Sequence, residues 1–337
     1  MIRFDYKRPD AIDAAVAAGS ERHAAFLAGG TNLVDLMKEN VARPLEVVDI
    51  NRLPLGDITE IDGGGLRLGA LATNNDTAYH PIVQQHYPLL ASAILAGASP
   101  QLRNAATNGG NINQRTRCYY FYDVDTPCTK RNREERCGAI GGVNRIHAIL
   151  GASDKCIATH PSDMAVALAA LDAEVRVTGI AGERVIPIGE YHRLPGDEPW
   201  RDNTLKTGEL VTAIDLPAEH FTTNYTYLKV RDRLSYAFAL VSVAVAMRLE
   251  EGKIADVRVA LGGVAHKPWR NAPAEDLLIG EAPGVEAFAT AARAITEGAV
   301  GQGDNDFKIP LARKAIVRAL GQAAAGTPQS QTDKRIA

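Results

Sequence analysis

The chain has 337 residues, of which 46% are hydrophobic and 23% charged, a composition typical of soluble globular proteins and a length that predicts two or three domains. Its formal net charge of −3 gives no reason to expect nucleic acid or an anionic membrane as a partner. The longest apolar run, Ala237 to Met247, is too short to cross a bilayer, and the N-terminus lacks the apolar region of a secretory signal.

Strands and helices are predicted to alternate through the first two thirds of the chain, marked by apolar periodicity and by glycine and proline between elements. The predicted strands lie near Phe4 and over His23–Ala28, Pro44–Ile50, Leu66–Leu71 and Leu210–Leu216, with a hairpin of Glu174–Thr178 and Arg184–Ile188. The predicted helices are Ala11–Ala18, capped by Asp10, then Pro88–Ala98, and the amphipathic Ser162–Ala173.

Two glycine turns follow predicted strand and helix ends. Gly29-Gly30-Thr31-Asn32 stands between a buried strand and Leu33, Leu36 and Met37 at helical spacing. Free N–H groups at a helix start favour an anion, and glycines let a ligand approach the backbone. A plain strand-to-helix turn is the competing interpretation, because short glycine motifs have many false positives. The second turn lies within Arg103–Ile112 and has the same character.

The residues between Gln114 and Ala152 lose hydrophobic periodicity, and such a long irregular stretch is uncommon inside a compact domain. All four cysteines fall in or just after it, spaced Cys118-x9-Cys128-x8-Cys137-x18-Cys156. No Cys-x-x-Cys pair occurs, so the spacing leaves four interpretations open: an iron–sulfur cluster, zinc, two disulfides, or unrelated buried thiols. The cations around the first three cysteines favour a net anionic cluster. These cations are Arg115, Arg117, Lys130, Arg131 and Arg136.

After Pro217 the pattern changes to three strands and then helices. The strands are Tyr225–Val230, Val241–Leu249 and Ile254–Gly262, the last two joined by the tight turn Glu251-Gly252. The helices are Ala274–Ile279, Val285–Gly298 and Ile309–Ala324, followed by a polar tail that is predicted to be mobile.

The ordered set of motifs resembles the FAD-binding subunit of the molybdenum hydroxylases, the xanthine dehydrogenase family, over roughly residues 1 to 325. The set comprises Ala28-Gly29-Gly30-Thr31-Asn32-Leu33, Gly69 to Thr73, Arg103 to Ile112, Ser162-Asp163, Ala260 to Ala265 and Pro268-Trp269-Arg270. The resemblance implies an α+β chain. Residues 1–217 would form a two-subdomain FAD-binding fold of the vanillyl-alcohol-oxidase type, with an insertion at about 113–158. Residues 218–325 would form a domain of the CO-dehydrogenase-flavoprotein type with a three-stranded antiparallel sheet and helices, and 326–337 the tail.

The cysteine-bearing insertion, beginning Arg117-Cys118, resembles the periplasmic aldehyde oxidoreductase branch of that family. The branch implies an additional [4Fe–4S] cluster, with Cys118, Cys128, Cys137 and Cys156 as its ligands.

The family also implies roles for FAD-binding residues. The backbone of Ala28 to Leu33 (Ala28, Gly29, Gly30, Thr31, Asn32, Leu33) would cradle the pyrophosphate, and Thr107, Gly110 and Asn111 would line the flavin. Asp163 would bind ribityl or ribose hydroxyls, with helix capping as the alternative role. Lys229 matches a lysine near the flavin ring, although Leu234-Ser235-Tyr236 departs from the family's charged run, and an exposed strand residue is the alternative.

The implied function is electron transfer in a molybdenum-dependent aldehyde oxidoreductase. Its partners would be a large molybdenum-cofactor subunit, a small subunit with two [2Fe–2S] clusters, and an external, ferredoxin-like acceptor. The location would be the periplasm, by export with a signal-bearing partner, or otherwise the cytoplasm. Two alternatives from other classes are a stand-alone FAD oxidase of the vanillyl-alcohol type and a zinc-stabilised assembly subunit without redox function.

Overall fold

The computed structural model describes residues 1–218 and 221–332, and the strands within them form three sheets. The first sheet is parallel, in the order β1-β3-β2. The second is antiparallel, in the order β4-β5-β8-β6-β7. The third is antiparallel, in the order β12-β11-β10-β9. The strands are β1 Asp5–Lys7, β2 Ala24–Leu27, β3 Glu46–Asp49, β4 Ile58–Ile61, β5 Gly65–Gly69, β6 Glu174–Gly179, β7 Gly182–Pro187, β8 Leu210–Leu216, β9 Asn224–Val230, β10 Val241–Glu250, β11 Lys253–Gly262 and β12 Trp269–Arg270.

Helices connect and cover these sheets, and none in the described ranges is long and apolar enough to cross a membrane. The helices are α1 Ile12–Gly19, α2 Leu33–Lys38, α3 Asn74–Tyr79, α4 Pro81–His86, α5 Pro88–Ala96, α6 Pro100–Arg103, α7 Asn108–Ile112, α8 Tyr119–Tyr122, α9 Asp163–Ala170, α10 Ile188–Tyr191, α11 Ala272–Glu275, α12 Val285–Ile295 and α13 Lys308–Ala324.

The third sheet is buried on both faces. The alternation of small and large side chains along its strands allows helices to pack on each face. Ala244 and Ala246 of β10 belong to the core shared with α5 and α9, whereas Val243 and Val245 belong to the core shared with α12 and α13. Successive side chains of a strand point to opposite faces, so small residues admit the helices on one side and larger ones fill the other. The C-terminal sheet is thereby fixed against α5 and α9 of the preceding part of the chain.

The predicted fold class is confirmed: a mixed α+β domain is followed by a domain with an antiparallel sheet. The third sheet has one more strand than predicted, the two-residue β12 beside β11. The helix predicted over Ser162–Ala173 is present as α9, but its predicted amphipathic character is wrong, because all eight residues of α9 are buried between α5 and the third sheet.

Two smaller differences concern helix ends. Asp10 does not cap α1, because the helix begins one residue later and Ala11 occupies the N-cap position. The helix predicted over Ala274–Ile279 is instead the short α11 followed by a 3₁₀ turn at Asp276–Leu278.

The polar tail contacts β9 within the described residues. Gln329 accepts a hydrogen bond from the backbone N–H of Lys229 at 2.9 Å, and the amide of Gln331 donates to the carbonyl of Tyr227 at 3.0 Å. The rest of the predicted mobile tail, residues 333–337, lies outside the described part of the chain.

Candidate functional site

The first glycine turn lies at the carboxyl end of β2, where a parallel sheet commonly binds its ligand. A Cβ on Gly29 would stand 1.7 Å from the carbonyl oxygen of Ala105, so no larger residue fits there without moving backbone. Gly30 has a φ of +73°, in the left-handed region that favours glycine. The Gly29 turn therefore packs backbone to backbone against the segment that leads into the second turn.

The second glycine turn is held by side-chain hydrogen bonds. Thr107 caps α7, its hydroxyl accepting from the N–H of Gly110 at 3.2 Å. The amide of Asn108 is fully buried and donates to the carbonyl of Gly69 at 3.2 Å, while Asn74 donates to Asn108 at 3.2 Å. These bonds tie α7 to the end of β5 and the start of α3.

Sequence reasoning missed the positioning role of Asn74 and Asn108. The signal was present, because three of the four Thr-Asn dipeptides in the sequence, at 31–32, 73–74 and 107–108, lie at the ends of predicted segments. In the structure, Thr73 and Thr107 form an isolated β-bridge, which brings the second and third of these dipeptides side by side.

A cavity of about 310 Å³ opens between the two turns. Eight of the eleven residues predicted to bind the cofactor line it, and they belong to both turns. These are Ala28, Gly29, Gly30, Thr31, Asn32, Leu33, Thr107 and Gly110. The glycine-built cradle, open to backbone approach and apolar beyond it, fits a dinucleotide cofactor such as FAD.

Two charged residues line the cavity. The carboxylate of Glu209 is bound by Arg184 at 2.7 Å and by the backbone N–H of Lys206 at 2.7 Å. Arg115 contributes the cation, and its guanidinium also lies 4.7 Å from the centre of the Phe121 ring.

The remaining three predicted FAD residues lie outside the cavity lining. Asn111 donates to Asn74 at 2.6 Å and accepts from the Ser162 hydroxyl at 2.5 Å. Asp163 forms a buried ion pair with Lys229 at 2.7 Å. The Lys229 side chain is only 2% exposed, so the alternative of an exposed strand residue is wrong.

The Asp163–Lys229 pair has further hydrogen-bond partners within the protein. The hydroxyl of Tyr227 donates to Asp163 at 2.6 Å, and Lys229 also donates to the carbonyl of Ala96 at 3.2 Å. Burial, together with the neighbouring Asp163 charge, raises the pKa of Tyr227 well above its ordinary value, so this tyrosine stays a donor. The capping alternative belongs to Ser162, whose hydroxyl accepts from the N–H of Ala165 at 2.9 Å.

The four cysteines are free thiols in one neighbourhood, and three of them are buried. Burial, together with the neighbouring thiols of Cys128 and Cys137, raises the pKa of Cys118 to about 12. Cys137 is hydrogen-bonded to Cys156, and this bond lowers the pKa of Cys137. His147 Nε2 lies 3.1 Å from the Cys118 sulfur.

Backbone N–H groups also point at these sulfurs, and such donors stabilise thiolates that ligate an anionic cluster. The donors are Tyr120 and Phe121 for Cys118, Ala139, Ile140 and Ile157 for Cys137, and Ala158 for Cys156. This chemistry fits an iron–sulfur centre. However, within residues 1–218 and 221–332 no three histidine, cysteine or carboxylate side chains form an arrangement that could hold a metal ion. The cluster thus stays a prediction.

The cysteine-bearing segment of residues 113–158, which we call the cysteine loop, contacts the first glycine turn directly. Asn32 accepts from the backbone N–H of Arg115 at 2.9 Å and donates to the hydroxyl of Tyr122 at 3.4 Å. Tyr122 in turn donates to Asp35 of α2 at 3.0 Å. The cofactor turn and the start of the cysteine loop therefore share one hydrogen-bond network.

The fold and cavity define a flavin-nucleotide-binding protein, and comparison with known proteins identifies its family. A family model described as the FAD binding domain in molybdopterin dehydrogenase matches residues 2–219, and one described as the CO dehydrogenase flavoprotein C-terminal domain matches residues 225–323. The chain belongs to the FAD-binding subunits of the molybdenum hydroxylase family, which are parts of oxidoreductases.

Individual relatives match along almost the whole chain. The chain is 45% identical to the aldehyde oxidoreductase FAD-binding subunit PaoB of Escherichia coli K12, covering 96% of this chain and 99% of that protein. It is 31% identical to the carbon monoxide dehydrogenase medium chain of Hydrogenophaga pseudoflava, covering 95% and 97%. A solved structure of carbon monoxide dehydrogenase from that organism superposes with a TM-score of 0.75, covering 97% of this chain and 99% of the other.

Proposed function

We propose that this chain is the FAD-bearing electron-transfer subunit of a molybdenum-dependent aldehyde oxidoreductase. The observation that carries the proposal is the end-to-end match to an aldehyde oxidoreductase FAD subunit, and the glycine-built cavity supports it. The family assignment favours this interpretation over a stand-alone oxidase and over a zinc-stabilised assembly subunit.

The proposed partners are a large subunit with the molybdenum cofactor and a small subunit with two [2Fe–2S] clusters. FAD, when bound, supplies the redox chemistry, receiving electrons from the partner clusters and passing them to an external acceptor, for which a ferredoxin-like protein is the candidate. The residues of this chain bind the cofactor, orient it and exclude water. We assign no general acid or base, because the substrate is oxidised in another subunit.

We further propose that Cys118, Cys128, Cys137 and Cys156 hold a [4Fe–4S] cluster. The shared neighbourhood of the four thiols, their free state and the N–H groups aimed at the sulfurs support this proposal. The cluster would either extend electron transfer towards the acceptor or brace the flavin domain.

The compartment and the domain division are also proposals. We propose export to the periplasm with a signal-bearing partner, with residence in the cytoplasm as the alternative. Fractionation of the native host distinguishes the two. The division at residues 217 and 218 is supported by the core behind the third sheet, which is formed mostly by residues after this boundary. Limited proteolysis of the native protein should cut first near this boundary.

The function is tested by purifying the native complex and measuring its molybdenum, iron and FAD together with aldehyde-dependent reduction of ferricyanide. We expect molybdenum and FAD in equal amounts and turnover that requires the aldehyde. A complex without molybdenum, or FAD that is reduced by no aldehyde, would overturn the proposal.

A further inference from the structure

Arg115, one of the cations that the sequence places around the cysteines, is also one of the residues that line the cofactor cavity. Its Nε donates to Asp202 at 2.6 Å, and its backbone N–H donates to Asn32 of the first glycine turn at 2.9 Å. Both the main chain and the side chain of Arg115 are therefore fixed at the cavity wall.

Asp202 is shared between two cations. Its other carboxylate oxygen accepts from the Nζ of Lys130 at 2.5 Å, and the Lys130 side chain is 1% exposed. Although burial alone favours a neutral acid, the charges of Arg115 and Lys130 hold the pKa of Asp202 well below its usual range. Two cations and one carboxylate leave one net positive charge here.

The opposite charge in the cavity wall is already neutralised, since Glu209 is paired with Arg184 at 2.7 Å. The group formed by Arg115, Asp202 and Lys130 beside the cavity therefore bears an excess positive charge that Glu209 does not offset. A pyrophosphate bears negative charge, and a guanidinium donates to phosphate oxygens through a planar fork of N–H groups. Arg115, which is bonded through its backbone N–H to Asn32 of the glycine turn, is thus the lining residue suited to a phosphate.

Asp202 belongs to a loop of residues 192–203, which we call the bracing loop. Its ends pair with each other through the bridge between His192 and Asn203, and His192 lies 2.8 Å from the carbonyl oxygen of Ile112 in α7. Its middle contacts the cysteine loop, because Lys130 also donates to the carbonyl of Pro199 at 2.6 Å and the Arg133 guanidinium lies 4.2 Å from the Trp200 ring centre. Asp202 is thereby held from both the cavity and the cysteine loop.

We propose that Arg115 is a further FAD-binding residue that pairs with the pyrophosphate, and that Asp202 is its positioning residue. The inference rests on the FAD site of the proposed function and is independent of the proposed cluster. Since Asp202 is shared with Lys130, an ordered cysteine loop favours the Arg115 orientation that faces the cofactor.

The test uses the full chain stripped of flavin and titrated with FAD and, separately, with riboflavin, which has no phosphate. Binding of FAD by the unchanged chain tests the proposed site itself. Arg115→Gln should weaken FAD binding by about tenfold to a hundredfold, the range expected for a hydrogen bond to a charged group. Riboflavin binding should be unchanged. Equal losses for FAD and riboflavin, or no loss for FAD, would overturn the inference.

Conservative and control variants separate binding from folding. Arg115→Lys keeps the charge and should bind FAD more tightly than Arg115→Gln does, even if the latter is less stable. Asp215→Asn removes a carboxylate that also bonds two arginines, Arg67 and Arg176, but lies outside the cavity lining, and should leave FAD affinity unchanged.

A double-mutant cycle tests the positioning role. Asp202→Asn should weaken FAD binding, and adding it to Arg115→Gln should weaken binding no further, because both changes remove one interaction. Additive losses would contradict the positioning role and would mean that Asp202 acts on the fold alone.

Discussion

The cofactor cavity and the cysteine loop adjoin each other but are built from different parts of the chain. In the cavity, the backbone forms the site, and glycines at two turns allow it, as the close approach of Gly29 to Ala105 shows. In the cysteine loop, no helix or strand is formed from Asp123 to Ser162, and side chains such as Lys130 hold the chain in place. The cavity therefore depends on glycines, which have no side chain, whereas the cysteine loop depends on the contacts that its side chains make.

The largest effect is expected at Gly29. Gly29→Ala would push a methyl group into the Ala105 carbonyl and separate the two turns, so the purified protein should contain essentially no FAD. Flavin released on denaturation measures this. Gly321→Ala is the matched control, since nothing lies within 4 Å of a Cβ there. Stoichiometric FAD in the Gly29 variant would contradict the conclusion that the cavity, unlike the cysteine loop, depends on glycine.

The next effect concerns the buried pair of Asp163 and Lys229. Asp163→Asn leaves a buried ammonium without its carboxylate, which should lower the free energy of unfolding by about 3–5 kcal/mol in denaturant titrations. Asp197→Asn breaks an exposed pair with Lys155 and should cause no measurable change. FAD per folded molecule should be unaffected in both, because Asp163 lies outside the cavity lining. A selective loss of FAD would instead favour the role implied by the family.

Cys128→Ser should affect the cysteine loop and leave the cavity intact. We expect the iron content to fall while FAD stays bound, because Cys128 lines no part of the cavity. Turnover of the native complex then separates the two roles of the cluster: unchanged turnover contradicts a relay, and loss of turnover with FAD retained contradicts a purely bracing role. Loss of FAD together with iron would show that the two regions fold as one.

The smallest effect is a pH dependence at Lys308, which donates to the carbonyl of His147 at 2.7 Å and so links α13 to the cysteine loop. Burial lowers the pKa of Lys308 to about 7. The unfolded chain then binds a proton that the folded protein lacks, so this group makes stability rise between about pH 7 and about pH 10.

Lys308→Met should flatten this rise, changing the difference in Tm between pH 7 and pH 9 by a few degrees. Lys314→Met, an exposed change on the same helix, should keep the wild-type pH dependence. An unaltered slope in the Lys308 variant would contradict the assignment.

The sequence predicted the cavity better than its surroundings, for a physical reason. Glycine at a strand-to-helix turn determines backbone geometry locally, so residues 28–33 could be recognised without their neighbours. Side-chain direction in an irregular loop is set by distant contacts. Arg115 was therefore grouped with the cysteines, although its guanidinium bonds Asp202, 87 residues later, and Arg115 is one of the residues that line the cavity.

Long-range partners also explain why Asp163 and Lys229 lie outside the cavity lining. Asp163 and Lys229 are 66 positions apart and satisfy each other. An aspartate and a lysine are equally suited to contact a cofactor and to form a buried ion pair, so residue type alone does not distinguish the two. The strands that cover the second face of α9 follow the helix by more than 70 residues. Because the local sequence does not show this contact, α9 was predicted to be amphipathic.

The central claim, that one chain holds both FAD and an iron–sulfur cluster, is tested most directly by the visible absorption spectrum of the purified protein with flavin and iron measured on the same sample. We predict flavin bands on a broad iron–sulfur shoulder, with about one FAD and about four irons per chain. Flavin without iron would contradict the cluster, and a colourless protein containing zinc would contradict the function and leave only the fold.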